Sequence, residues 1–167
     1  MRARKMWMAI LILLVMLPVL FLLAAQKTLK RFAGLQPGDA VPAARLRSVG
    51  QPWVETSSWL GTPTLLVIFQ PGCEACRLEI AGLASIAPSF PDLKIVLLST
   101  RTDLAGMQAP FPIYVDPDGG FLTRVRKLVT PALYWIDASG HVQYARTGQH
   151  SVQEEERLLR GLVGGGR

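Results

Sequence analysis

"TLLVIFQPGCEACRLEI", Thr64 to Ile80, joins a short apolar run to a helix-like segment, and it places the chain's two cysteines at the seam. The run that begins at Thr62 and ends at Phe69 has the length and β-branched character of a strand buried on both faces of a sheet. After Cys73, Leu78, Ala81, Ile86 and their neighbours recur at helical spacing as far as Pro88. "LKIVLLST", Leu93 to Thr100, reads as a second buried strand. Strand, helix, strand in that order predicts a right-handed parallel crossover and an α/β domain.

Further along, "FPIYVDPDGGFLTRVRKLV" reads as a short strand, an Asp-Pro-Asp-Gly turn and a helix. "ALYWIDASGHVQYAR" then gives two strands joined at Ala138-Ser139-Gly140, a hairpin signal. A helix near Val152 to Val163 and a glycine-rich tail at 164–167 close the chain. Before the first buried strand, Pro37-Gly38 and Gly50-Gln51-Pro52 are turn formers around a short extended piece near Ala43 to Arg47.

A net charge of +6 and a pI near 9.8 raise the question of nucleic-acid binding, and the position of the charge answers it. Arg2, Arg4, Lys5, Lys27, Lys30 and Arg31 all precede Phe32, with no acid among them. The remaining basic residues equal the acidic ones in number, so the domain from Phe32 onward is neutral and no nucleic-acid partner is expected. Between the basic clusters, Met6 to Ala25 carries no charge and no strongly polar side chain. As a helix it would span roughly the 30 Å of a bilayer's hydrocarbon core. A cleaved signal peptide ending at Ala24-Ala25 is the rival reading, but its apolar region should be about 7–15 residues. The expected organisation is therefore a membrane anchor over 1–31, a folded domain over 32–163 and a flexible tail. The flanking charges lean toward an N-terminus inside.

Three readings fit a Cys-X-X-Cys at the exit of a buried strand. As a redox pair, Cys73 would stand at the first turn of the helix, where unpaired N–H groups and the helix dipole favour its thiolate. Cys76, on the same helical face and less exposed, would be the resolving thiol. As a static disulfide the loop is so short that it restrains little of the unfolded chain. A metal site would need two more ligands, and the chain's only histidines, His141 and His150, lack the usual finger spacing.

"PGDAVPAARLRSVGQPW", "GTPTLLVIFQPGCEACRLEI" and "VTPALYWIDASGHV" resemble successive signatures of the TlpA/ResA-like membrane-anchored thiol:disulfide oxidoreductases, and also of MauD, a relative implicated in methylamine dehydrogenase maturation. The likeness runs from about Leu35 to the C-terminus. It implies a thioredoxin-like α/β fold, a central mixed sheet flanked by helices. By the same resemblance, Pro131 after Thr130 is a cis-proline beside the cysteine pair that helps dock substrate. Glu79 would be an acid that tunes the cysteines and shuttles a proton; the alternative is a solvated glutamate beside Arg77. Glu74 and Gly72 would lie at the substrate-facing rim, with Glu74 exposed. Trp53, Trp59 and Trp135 read as core or site-rim residues.

Two departures stand out. Gly72 takes the place of the tryptophan that usually precedes the first cysteine, and the apolar "LLVIF" offers no buried acid of the ordinary thioredoxin kind. The resemblance implies a disulfide-bearing exported substrate, as in cytochrome c or dehydrogenase maturation, and a DsbD/CcdA-like membrane electron donor. It places the domain on the periplasmic or extracytoplasmic side. No cofactor beyond the cysteine pair is implied. Two alternatives remain: a peroxiredoxin-like peroxidase, against which Gln70 stands where a threonine is expected, and a Sco-like copper chaperone, whose cysteine spacing is one residue longer.

Overall fold

The computed structural model describes residues 7, 14–22, 34–48, 52–104, 107–125 and 129–164. The chain divides into two compact units, residues 1–34 and 35–167. In the first, residues 14–22 are helical (α1) with exposed side chains. Among the described residues no helix is long and apolar enough to cross a membrane. Apart from Trp7 and α1, the stretch expected as an anchor lies outside the described residues, as do the Ala24-Ala25 cleavage alternative and all but the first residue of the C-terminal tail.

The second unit is a mixed seven-stranded sheet. Its strands are β1 (Arg45–Ser48), β2 (Trp53–Glu55), β3 (Thr64–Phe69), β4 (Lys94–Ser99), β5 (Ile113–Val115), β6 (Ala132–Ile136) and β7 (Val142–Thr147). They lie in the order β2-β1-β5-β4-β3-β6-β7. The pairs β3/β4 and β4/β5 are parallel, and all others are antiparallel. Helices α2 (Glu74–Ile86), α3 (Gly120–Val125) and α4 (Val152–Gly164) flank it.

The apolar runs found in the sequence are the central strands, because only a strand covered on both faces needs an unbroken apolar run. Every residue of β3, β5 and β6 is buried. Alternation along β3 sends Leu65, Val67 and Phe69 into one core with α2 and α4, and Leu66 and Ile68 into the other with α3. Each large apolar side chain so buried contributes about 1.5–3 kcal/mol relative to exposure.

Helix α2 faces its core with Cys76, Ile80, Leu83 and Ile86. The periodicity in the sequence pointed to Leu78 and Ala81, and both are exposed. Apolar residues fall on several sides of this helix, so spacing alone does not choose the face. Against α2 packs α4: a Cβ on Gly82 would come within 3.2 Å of Val152 Cγ2, so glycine permits the close approach. Strand β2 and the 3₁₀ turn Thr56–Trp59 were not anticipated. Trp59 and Trp135 are buried, but Trp53 sits exposed on the edge strand with the Arg45 guanidinium 4.9 Å from its ring centre. It belongs to neither the core nor the cysteine site.

Candidate redox site

Strand β3 ends at Phe69, and a turn follows at once, in which Cys73 N donates to Gln70 O at 3.1 Å. Pro71 and then Gly72, at φ +79°, are the residues a type II turn asks for at its two central positions. The positive φ explains the departure from the tryptophan pattern. A bulky L-residue is strained there, so the turn and an aromatic rim at position 72 exclude one another.

Cys73 is the N-cap of α2. Its backbone is extended, its carbonyl accepts from Arg77 N at 3.1 Å, and its Sγ accepts from Cys76 N at 3.1 Å. The sulfur thus occupies the place that a serine or aspartate oxygen takes in an ordinary cap, facing the helix's unpaired N–H groups. Cys73 and Cys76 are joined as a disulfide, with Cα atoms 5.2 Å apart. Cys76 is 1% exposed while Cys73 is half-buried.

The loop before β6 arrives beside Cys73. The Thr130–Pro131 bond is cis, Thr130 O is 4.0 Å from Cys73 Sγ, and Thr130 Oγ1 is 3.9 Å from it. Pro131 O accepts from Gly148 N at 2.8 Å, which fixes the loop to the end of β7. Pairing of β3 with β6, Ile68 opposite Ala132, brings the two segments together. Gly72, Cys73, Cys76, Thr130 and Pro131 therefore converge, although 57 residues separate Cys73 from Thr130.

Glu74 is exposed and takes a 2.8 Å hydrogen bond from Arg77 Nε, which holds its carboxyl below the usual carboxylate range. Glu79 has a different setting. It is 3% exposed, and Arg77 is not its partner, so the solvated alternative is overturned. Its Oε1 accepts from Arg146 Nη2 at 2.6 Å and its Oε2 from His150 N at 3.0 Å. The same Arg146 Nη2 pairs with Glu155, which is equally buried on α4. Burial pushes the Glu155 carboxyl up, with Arg146 opposing and the negative charge of Glu79 adding to the rise. Two buried carboxylates share one guanidinium, and it can fully compensate only one of them.

Arg146 and Glu155 were missed in the sequence, though each left a trace. Arg146 is two residues beyond Tyr144 in β7 and so shares its face, and Glu155 precedes the buried Leu159 by one helical turn. His141 stands apart at the hairpin turn, with Nδ1 2.9 Å from Ser139 Oγ. Among the described residues no group of three or more His, Cys, Asp or Glu is arranged to hold a metal ion.

No protein-family model matches the chain. The soluble secreted antigen MPT53 of Mycobacterium tuberculosis is 25% identical over 107 residues, 60% of this chain and 62% of that protein. The aligned region thus spans less than two thirds of the relative. Among solved structures, a putative thiol:disulfide interchange protein DsbE from Chlorobium tepidum superposes with a TM-score of 0.67 at 20% identity, covering 78% of this chain and 97% of that one. Mycobacterium tuberculosis AhpC gives 0.64 at 18% identity, covering 79% and 95%. At such identities the likeness speaks for the fold. It is thioredoxin-like, a central mixed sheet with flanking helices.

Proposed function

We propose that the chain is a thiol:disulfide oxidoreductase of the TlpA/ResA-like kind, acting on exported proteins that carry disulfides. The observation that carries this reading is the Cys73–Cys76 disulfide at the start of α2, with Cys73 Sγ beside Thr130 and the cis Pro131. In the reduced protein the Cys73 thiolate attacks one sulfur of a substrate disulfide, and the other substrate sulfur leaves as a thiolate. Cys76 then attacks Cys73 Sγ, which releases the second substrate thiolate and restores the Cys73–Cys76 disulfide. Two electrons pass to the substrate, and a membrane donor of the DsbD/CcdA kind returns them. Gly72, Glu74, Thr130 and Pro131 border the substrate's path, and Glu79 tunes the pair from within α2.

Residues 6–25 would anchor the chain in the cytoplasmic membrane, with the redox domain outside, where disulfides persist. The secreted character in the name of MPT53 supports an exported setting. Protease added to intact spheroplasts should digest the domain, and protection would place it on the wrong side for this function. The test of the chemistry is trapping with Cys76→Ser. A mixed disulfide on Cys73 then cannot be resolved, so exported proteins with disulfides should be recovered covalently. Recovery of none would remove the reading.

A peroxiredoxin-like peroxidase is the second reading, favoured by the AhpC likeness. It requires peroxide turnover by the purified protein, which Gln70 in place of the expected threonine makes unfavourable.

A further inference from the structure

Strands β4 and β5 are parallel neighbours, a connection that usually carries a covering helix. Here the described residues of the connection, 100–104 and 107–112, contain no helix. Irregular connections of this length inside a compact domain are commonly functional. The flank of α2 is consequently left open as a groove of about 560 Å³ that begins at Cys73. Its walls are Ile80 and Ala81 from α2, and Met107, Ala109 and Pro110 from the irregular segment. The polar side chains in its lining are Glu74 and Arg77, which satisfy each other, and the exposed amides of Gln70 and Gln108. The groove therefore offers apolar walls and a neutral rim.

We propose that this groove receives an uncharged, apolar side chain next to the reacting cysteine of the substrate polypeptide, and so selects which disulfides are exchanged. The proposal rests on the reading that Cys73 attacks a substrate disulfide. Attack needs the substrate sulfur about 3–3.5 Å from Cys73 Sγ. An extended polypeptide advances about 3.3 Å per residue, so side chains one or two positions from that sulfur fall over the groove. A charged or amide side chain set between Ile80, Ala81, Met107, Ala109 and Pro110 would lose water that the exposed Gln70 and Gln108 replace only in part, whereas an apolar one gains by leaving water. The preference for leucine over its polar isostere asparagine should be about tenfold or more in rate.

The test uses the reduced full-length chain with three probes: hydroxyethyl disulfide, and two otherwise identical peptides with an internal disulfide whose cysteine is flanked by leucine or by asparagine. Rate constants are measured for the wild type, Met107→Gln and Ala81→Gln. Ala81 is exposed and glutamine suits a helix, so the second variant does not depend on repacking. A leucine-to-asparagine ratio of about ten in the wild type, falling at least threefold in a folded variant, supports the groove. Equal peptide rates in the wild type, or a ratio that both variants keep, overturns the groove and leaves the exchange reading standing provided hydroxyethyl disulfide is reduced. Failure to reduce any of the three overturns the exchange reading and the groove with it.

Discussion

Arg146 Nη2 lies 2.6 Å from Oε1 of Glu79, and this buried ion pair ties the last strand of the sheet to the helix that carries both cysteines. The same nitrogen holds Glu155, so one guanidinium joins β7, α2 and α4. All three side chains are at least nine-tenths buried. An arrangement of this kind is costly to desolvate and adds little net stability over an apolar core, but breaking it exposes each remaining charge to an interior that cannot solvate it. It fixes the position of α2, and with it the depth at which the cysteines sit.

Replacing Arg146 by methionine should therefore destabilise the domain by about 3–5 kcal/mol, because two buried carboxylates lose their common partner. Arg77→Met, at an ion pair that is two-thirds exposed, should leave stability nearly unchanged, because water screens the pair. Urea denaturation of both variants makes the comparison. Equal, small losses would mean that water reaches the Arg146 site.

The same cluster sets a pH dependence. Glu155 has its carboxyl raised by burial, with Arg146, Glu79 and His150 as the groups acting on it. For an acid whose folded value lies above the unfolded one, the folded state holds its proton more tightly. The stabilisation is complete below the unfolded value and is lost as pH rises through the folded one. Stability of the wild type should thus decline upward from about pH 4.5, the ordinary value of the group. Glu155→Gln should flatten that decline. Denaturation midpoints across this range check it, and parallel curves for the two proteins would contradict it.

The contrast between β3 and Arg146 shows what the sequence can disclose. A run such as Leu65 to Phe69 has one physical explanation, burial on both faces, and its neighbours in the chain supply the crossover and the cysteine turn. Cys73 and Cys76 were legible from their spacing at the end of a strand, whereas Thr130 and Pro131 were singled out by the family resemblance. Arg146 and Glu155 were not, since a lone charge in a strand or helix reads as solvated until a partner from a distant segment is brought to it. Glu79 was half legible: its place one turn beyond Cys76 singled it out, but its partner lies 67 residues away. Strand β2 is a three-residue edge strand whose pattern is too short to separate from a loop.

Exposure orders the two thiols. In the reduced protein Cys73 should be alkylated many times faster than Cys76, since Cys76 is 1% exposed beneath the helix start and Cys73 caps it. Mass-spectrometric timing of iodoacetamide labelling reads both sites at once. Equal rates, or faster labelling of Cys76, would reverse the roles proposed for them.

Glu79→Gln joins the buried cluster to the thiol chemistry. Glu79 stands one helical turn beyond Cys76, and its negative charge opposes formation of a thiolate nearby. Removing that charge while Arg146 keeps its own should lower at least one apparent thiol titration. The two thiols titrate together, so the measured values belong to the pair. The carboxamide has a single acceptor oxygen where Arg146 and the His150 N–H now take one each, so one donor goes unmatched. A stability loss of about 1–3 kcal/mol should accompany the shift, with the fold retained. Thiolate absorbance against pH in the two reduced proteins separates the outcomes. A shifted curve places Glu79 in electrostatic contact with the sulfurs, whereas superimposable curves in a destabilised variant would confine it to holding α2 in place through Arg146.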